Sequence, residues 1–282
     1  MLTVAKFGGS STANANQFKK IKAIIDNDAK RKVIIVSALG KEKQGDSKIT
    51  DLLFLLYAHL KYSVDYETVF DLIKNRFVDI KNSLNLDYDI ETEFDKLKVE
   101  LNSSISEDYL ASRGEYFTAK LLSEYLAIPF VDATELIFFN YDGSINEVKT
   151  SNEILTQFKN NKQMIIPGFY GAFPGGSVKL FTRGGSDVTG SIIAKFLKAT
   201  LYENWTDVNG IYMADPRIVK DPLRINEITY DELRELSYMG ANVLHEDTIF
   251  PLQEIGIPIQ ILNTNFPNSG GTTILKECHD TD

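Results

Sequence analysis

The fold class predicted by the sequence is an α/β sandwich with a mostly parallel central sheet, and three features predict it. Short β-favouring runs alternate with helix-periodic ones along most of the 282 residues. The run Lys32 to Ala38 (KVIIVSA) is apolar almost throughout, as expected of a strand covered on both faces by helices. Glycine turns follow apolar runs at Gly8-Gly9 and Gly184-Gly185. In open parallel sheets such turns lie at the ligand-binding edge.

Taken in order, Leu2 to Phe7 reads as a strand. It ends in the turn Gly8-Gly9-Ser10-Ser11-Thr12, and a helix follows with Phe18, Ile21, Ile24 and Ile25 on one face. Lys6 closes that strand. There its ammonium is either a point charge for a phosphate cradled by glycine N–H groups or simply a solvated strand-end lysine. After the strand 32–38 comes a polar loop from Leu39 to Lys48, then a helix from Ile49 through Leu60, in which Thr50 either caps or touches a ligand. Residues 61–112 read as charged helices without assignable chemistry. Ser112-Arg113-Gly114-Glu115 interrupts a helical run from Glu107 to Leu126. A glycine there costs about 1 kcal/mol relative to alanine, which a close approach would explain, and Glu115 is either a receptor for a substrate ammonium or a surface carboxylate.

Further along, Ile128 to Val131 and Leu136 to Phe139 read as short strands, Asn152 to Lys159 as a short helix and Gln163 to Pro167 as a buried strand. A hairpin turning at Gly175-Gly176 follows. It delivers the stretch Phe181-Thr182-Arg183-Gly184-Gly185-Ser186-Asp187, which opens a helix running to Lys198. A helix N-terminus stabilises anions through unpaired N–H groups and its dipole, and Arg183 can fork a carboxylate or phosphate. The plainer reading is a helix capped by Ser186 or Asp187. Thr200 to Trp205 is a strand, and the loop Thr206 to Arg217 either offers aromatic and acidic groups to a purine and ribose or is a surface loop with Trp205 and Tyr212 packed beneath it. Helices over Asp231–Tyr238 and Leu244–Ile255, a strand at Pro258–Leu262 and the segment Gly270–Ile274 close the chain.

The net charge of −9 and the absence of a basic run exclude nucleic acid as the main partner. No apolar stretch reaches the length of a membrane span, and the start MLTVAKFGGSS is unlike an export signal, so a cytoplasmic protein is expected. The single cysteine, Cys278, has no disulfide or zinc partner, and His59, His245 and His279 have no metal-ligand spacing and no triad context. A reaction without histidine is therefore favoured. Phosphoryl transfer to a carboxylate fits, because a nucleophile with a pKa near 4 is already ionised at neutral pH and needs no general base. Catalysis then consists of holding two anions in line, which lysine, Mg2+ and helix N-termini do.

Four motifs in this order, KFGGSS (Lys6–Ser11), SRGE (Ser112–Glu115), FTRGGSD (Phe181–Asp187) and WTDVNGIYMADPR (Trp205–Arg217), closed by GGTTI (Gly270–Ile274), resemble the aspartate kinases. The resemblance spans nearly the whole chain. It implies the amino-acid kinase fold, a three-layer sandwich, and transfer of a phosphoryl group from ATP, with Mg2+, to the side-chain carboxylate of L-aspartate. That is the opening step of lysine, threonine and methionine synthesis. Residue by residue, it implies that Lys6 stabilises the transferring group and that Asp187 organises the cations. Arg183 takes the substrate α-carboxylate, Glu115 the α-ammonium, and Thr50, Phe169 and Ser186 complete the pocket. Gly8, Gly9 and Ser10 face the phosphates, while Thr206, Asp207, Tyr212, Asp215 and Arg217 hold the nucleotide. Residues 1–180 would be the aspartate-binding part and 181–282 the nucleotide-binding part, with no protein-held metal.

The sequence departs from the pattern in two ways. Asn242 and Glu246 stand where many relatives have a lysine and a proline, which implies weaker ATP binding or a contact passed to Arg217. The chain also stops after the kinase module, so no ACT regulatory domain and no feedback inhibition through one are expected. A homodimer is among the assemblies the resemblance leaves open. So are a kinase of the same fold for glutamate, acetylglutamate, carbamate or UMP, and an inactive partner of a complete kinase.

Overall fold

Strand β1 (Thr3–Phe7) is buried at every position, as a strand at the centre of a three-layer protein must be. The structure, a computed structural model, describes residues 1–182, 184–214, 218–238, 244 and 246–278, with only the backbone at 246 and 247. A 3-10 turn (Gly9–Ser11) leads from β1 into α1 (Ala15–Asn27), whose first amides are capped by the Asn14 side chain. Phe18, Ile21, Ile24 and Ile25 form the buried stripe of α1, each side chain contributing about 2 kcal/mol by burial. β2 (Arg31–Val36) precedes four helices, α2 (Ile49–Lys61), α3 (Glu67–Leu84), α4 (Ile90–Glu100) and α5 (Glu107–Leu126). After α6 (Glu147–Asn161) come β3 (Met164–Pro167) and the hairpin β4 (Tyr170–Ala172) with β5 (Val178–Leu180), then α7 (Gly185–Phe196) and β6 (Leu201–Thr206). The rest is β7 (Ile211–Tyr212), β8 (Arg224–Ile225), β9 (Glu227–Thr229), α8 (Tyr230–Tyr238), α9 (Glu246–Ile255), β10 (Ile259–Asn263) and β11 (Gly271–Leu275).

The main sheet has seven strands in the order β3-β2-β1-β6-β10-β11-β9. Every pairing in it is parallel except β10 with β11. The predicted α/β sandwich with a mostly parallel sheet is therefore the fold observed. Alternate strand residues feed two cores: Val4, Val33 and Ile35 pack with α7, α8 and α9, whereas Ala5, Phe7 and Ile34 pack with α1 to α5. Gly114 answers to the expected close approach. A Cβ there would lie 2.8 Å from Cβ of Ala38 and 3.3 Å from Ile49, so α5 lies tight against the end of β2 and the start of α2.

Several local expectations are corrected. Residues 128–131 and 136–139 form only isolated bridges, Phe130 with Ile165, Phe138 with Ala172 and Phe139 with Ile145; between them the Asp132 side chain accepts from the Thr134 amide and the chain curls into a 3-10 turn. The helix expected at Asn152 begins five residues earlier, where the Asn146 side chain caps it. The loop after β6 contains the hairpin β7–β8, in which Ile211 pairs with Ile225. Among the described residues no helix is long and apolar enough to cross a membrane.

Candidate active site

Lys6 lies on β1 between β2 and β6, both parallel to it, so the loops after all three strands emerge at one sheet edge. The chain winds from β1 to β2 on one side and reaches β6 on the other, which makes this a topological switch point. The lysine is only 7% exposed. Its Nζ is 2.7 Å from Asp187 Oδ1 and donates to Asn204 Oδ1 at 3.4 Å. Asp187 comes from the first turn of α7, so the ion pair ties the end of β1 to a helix N-terminus.

Capping by Ser186 or Asp187 is not what the structure adopts. The N-cap of α7 is Gly184, at φ +69°, and among the described residues no side chain caps the helix. Asp187 sits inside the first turn and extends its carboxylate to Lys6. Likewise α2 is preceded by Lys48 without a side-chain cap, so Thr50 does not fill that role.

Beside Lys6, the two glycine-bearing loops meet backbone to backbone. Gly40 N–H donates to Gly9 O at 2.9 Å, and a Cβ on Gly9 would come within 3.2 Å of the Ala38 carbonyl oxygen. Gly8 N–H donates to Trp205 O, and Ser11 Oγ donates to the same carbonyl at 3.2 Å, fixing the turn on β6.

Glu115 is 4% exposed on α5, and among the described residues its Oε2 has no hydrogen-bond partner. Burial pushes its carboxyl up to about 8, opposed by the Ala38 main-chain N–H and by the charge of Arg113. Arg113 is stacked on Tyr109 and Tyr116, with its Cζ 4.5 and 4.3 Å from the two ring centroids, and Nη2 donates to Ser112 Oγ at 2.9 Å. A buried carboxylate oxygen without a partner is costly unless a ligand supplies one.

These groups line one cleft of about 720 Å3. Lys6, Gly8, Gly9, Ser10 and Asp187 form one part of its wall, and Thr50, Glu115, Phe169 and Ser186 another. Thr206 and Asp207, at the end of β6, complete it. Phe169 holds φ +81°, a left-handed conformation uncommon for a side chain of this kind and typical of a constrained ligand site. Tyr212 is not on this wall; it is half-buried in β7, opposite Arg224. Arg183, Asp215, Arg217 and Asn242, and the side chain of Glu246, lie outside the described residues.

The sequence reading missed Ser37, Gly40, Lys41, Lys48 and Asp51, which line the cleft from the loop after β2 and the start of α2. The available signal was that loop's position at the carboxyl end of a buried parallel strand. It also missed Asn204, whose meeting with Lys6 depends on β1 pairing with β6.

The family model described as amino acid kinase family matches residues 1–263. The chain belongs to the amino acid kinase family. Within that family, it is similar to aspartokinase 3 of Bacillus subtilis, 36% identical, over 99% of this chain and 65% of that protein. The crystal structure of Clostridium acetobutylicum aspartate kinase superposes with a TM-score of 0.93 at 51% identity, over 99% of this chain and 64% of that one. Escherichia coli aspartokinase III in complex with aspartate and ADP superposes with a TM-score of 0.86 at 28% identity, over 99% of this chain and 66% of that one. This family member thus spans a little under two thirds of the length of these relatives.

Proposed function

We propose that this chain carries the aspartate kinase reaction, ATP plus L-aspartate giving ADP plus 4-phospho-L-aspartate. The observation that carries the reading is that the Lys6–Asp187 pair and the buried carboxylate of Glu115, whose Oε2 has no partner among the described residues, line the same cleft. An oxygen of the substrate side-chain carboxylate attacks the γ-phosphorus of ATP. The new O–P bond forms as the bond to the β,γ-bridging oxygen breaks, and its electron pair leaves on ADP. The nucleophile is ionised at neutral pH, so the protein has only to align two anions and neutralise the charge in transfer.

In this reading the Lys6 ammonium meets the transferring phosphoryl, Asp187 holds that ammonium in place, and Gly8, Gly9 and Ser10 present donors to the phosphates. Glu115 receives the substrate α-ammonium. A cation at that point restores the carboxylate charge that burial disfavours, so recognition and ionisation are coupled. Thr50, Phe169 and Ser186 wall the amino-acid pocket, and Arg183 takes the α-carboxylate. Thr206 and Asp207 hold the nucleotide together with Asp215 and Arg217, without Tyr212, which lies off the cleft wall, and the division at about residue 180 into amino-acid and nucleotide parts belongs to the same proposal. Among the described residues no cluster of three or more His, Cys, Asp or Glu is placed to hold a metal ion. Asp187 and Asp207, the two carboxylates at the phosphate side of the cleft, would be the residues to hold Mg2+, which would neutralise phosphate charge there.

The test is trapping of the acyl phosphate with hydroxylamine. Hydroxamate should form only with both MgATP and L-aspartate, and far faster than with L-glutamate. Folded protein that yields none with saturating MgATP and aspartate, or that yields as much with glutamate, contradicts the proposal.

A further inference from the structure

The helical stretch 61–112 shows no chemistry in the sequence, yet α3 extends one side chain to the loops that form the cleft. Arg76 Nη2 donates to Gly40 O at 2.8 Å and to Ala13 O at 3.2 Å, and Nη1 lies 3.5 Å from Ser47 O. All three acceptors are main-chain carbonyls. Ala13 follows the phosphate-side turn after β1, whereas Gly40 and Ser47 stand near the two ends of the loop between β2 and α2. One guanidinium therefore fastens the two glycine-bearing loops to each other and pins both ends of the second.

Between its ends the second loop has few other anchors among the described residues. Residues 41–45 are exposed, Gly45 takes φ +97°, and the internal bonds form one small turn in which Lys43 N–H donates to Asp46 Oδ2 and Asp46 N–H to Lys43 O. At its ends, Thr12 Oγ1 donates to Ala38 O at 3.1 Å, Gly40 N–H to Gly9 O and Ile49 N–H to Leu39 O. No side chain separates Gly40 from Gly9, because a Cβ on Gly40 would run into the Gly9 carbonyl. The cleft-lining cations Lys41 and Lys48 stand on this loop, and Thr50 follows directly. Arg suits the clamp because its planar fork holds several acceptors in fixed directions, whereas the lysine ammonium is a compact point charge on a flexible stem.

We propose that Arg76 is a positioning residue of the phosphoryl-transfer site, acting from α3 through the loop 40–48. It sets the distance between the glycine turn after β1 and the lysine-bearing loop after β2, and so the geometry in which the nucleotide's terminal phosphate is held. The proposal rests on the kinase reading above only for its kinetic consequence. Its structural part, the clamp, stands separately.

Two variants, Arg76→Met and Arg76→Lys, test it by two readouts. In amide hydrogen exchange, Arg76→Met should speed exchange in peptides covering residues 40–48 at least tenfold while the interiors of α1 and α3 keep wild-type rates. In the hydroxamate assay the same variant should lose roughly tenfold or more in kcat/KM for MgATP with its thermal midpoint close to wild type, since small misplacements of an aligned site are expensive in rate. Arg76→Lys should fall between the two, and it carries the same test at smaller amplitude if the methionine variant does not fold. Unchanged exchange across 40–48 overturns the proposal. So do unchanged kinetics in an active background, or a rate loss that only follows the fraction of protein unfolded. Wild-type protein without hydroxamate would instead overturn the kinase reading, and the exchange experiment would still decide the clamp.

Discussion

Glu203 and Glu115 are buried almost equally, at 2% and 4% exposure, and their surroundings are opposite. Glu203, on β6, accepts from Arg31 through Nε at 2.7 Å and Nη2 at 3.0 Å, and from Trp205 Nε1 at 2.8 Å. Arg31 comes from β2, so the bidentate pair bridges β2 and β6 across the intervening β1, where Ala5 leaves room. The remaining guanidinium nitrogen donates to Ile24 O at 2.6 Å, and Trp205 stacks on Phe7. Glu115 has a main-chain donor and an oxygen that, among the described residues, has nothing to accept from. A carboxylate buried to hold the sheet together is saturated with donors. Glu115, buried beside a cleft, keeps a valence open among the described residues, and that is why it is proposed as the receptor of an ammonium.

The largest expected effect breaks the saturated side of the comparison. Glu203→Ala leaves the Arg31 guanidinium buried without its partner and should cost about 3–5 kcal/mol in denaturant unfolding, with the folded fraction retaining near wild-type kinetic constants. Lys6→Ala should do the reverse: the fold persists, while kcat for hydroxamate formation drops by roughly 10²–10³, the scale seen when one charge-stabilising donor is removed. Next comes Glu115→Gln, which should raise KM for aspartate about 10- to 100-fold, the worth of a hydrogen bond to a charged group, without lowering stability.

The same substitution exposes a pH dependence that sharpens the contrast. Burial raises the Glu115 carboxyl from the ordinary 4.5 to about 8. Between those values the unfolded chain has released the proton that the folded chain still holds, so rising pH disfavours the folded state, and the loss is complete above about 8. Unfolding midpoints of wild type and Glu115→Gln should lie close together near pH 5 and separate in favour of the variant toward pH 8. The gap should then stop growing. A pH-independent gap would remove Glu115 as its source. The smallest effect is expected from Trp205→Phe, which keeps the stacking but deletes one donor to Glu203, at about 1 kcal/mol of stability and no change in KM.

What the sequence revealed was local. The turn after β1, the buried run that becomes β2 and the glycine inside α5 could be read because each depends on neighbours a few residues away. The cost of Gly114 inside a helix gave a reason to expect a close approach, and α5 does pack against Ala38 and Ile49 there, but the residues alone left Glu115 open between a surface carboxylate and an ammonium receptor, and only the resemblance implied the second. The contacts that depend on sheet order stayed hidden. Asn204 meets Lys6 across 198 positions of chain, and Arg76 reaches the carbonyls of Ala13 and Gly40 from a helix that looked merely solvated. The two- and three-residue strands β7, β8 and β9 are too short to show a period. Capping preference misled at Ser186 and Asp187, because pairing with Lys6 took the carboxylate that the helix terminus would otherwise have used.

The most direct measurement of the central claim, that Glu115 is an open valence for an ammonium, compares L-aspartate with succinate, which keeps both carboxylates and lacks the amine. Titration calorimetry of the chain loaded with Mg2+ and a non-hydrolysable ATP analogue should find succinate about 10- to 100-fold weaker than aspartate, and Glu115→Gln should bring the two close together. Equal binding of the two by the wild type, or a gap that survives in Glu115→Gln, would contradict it.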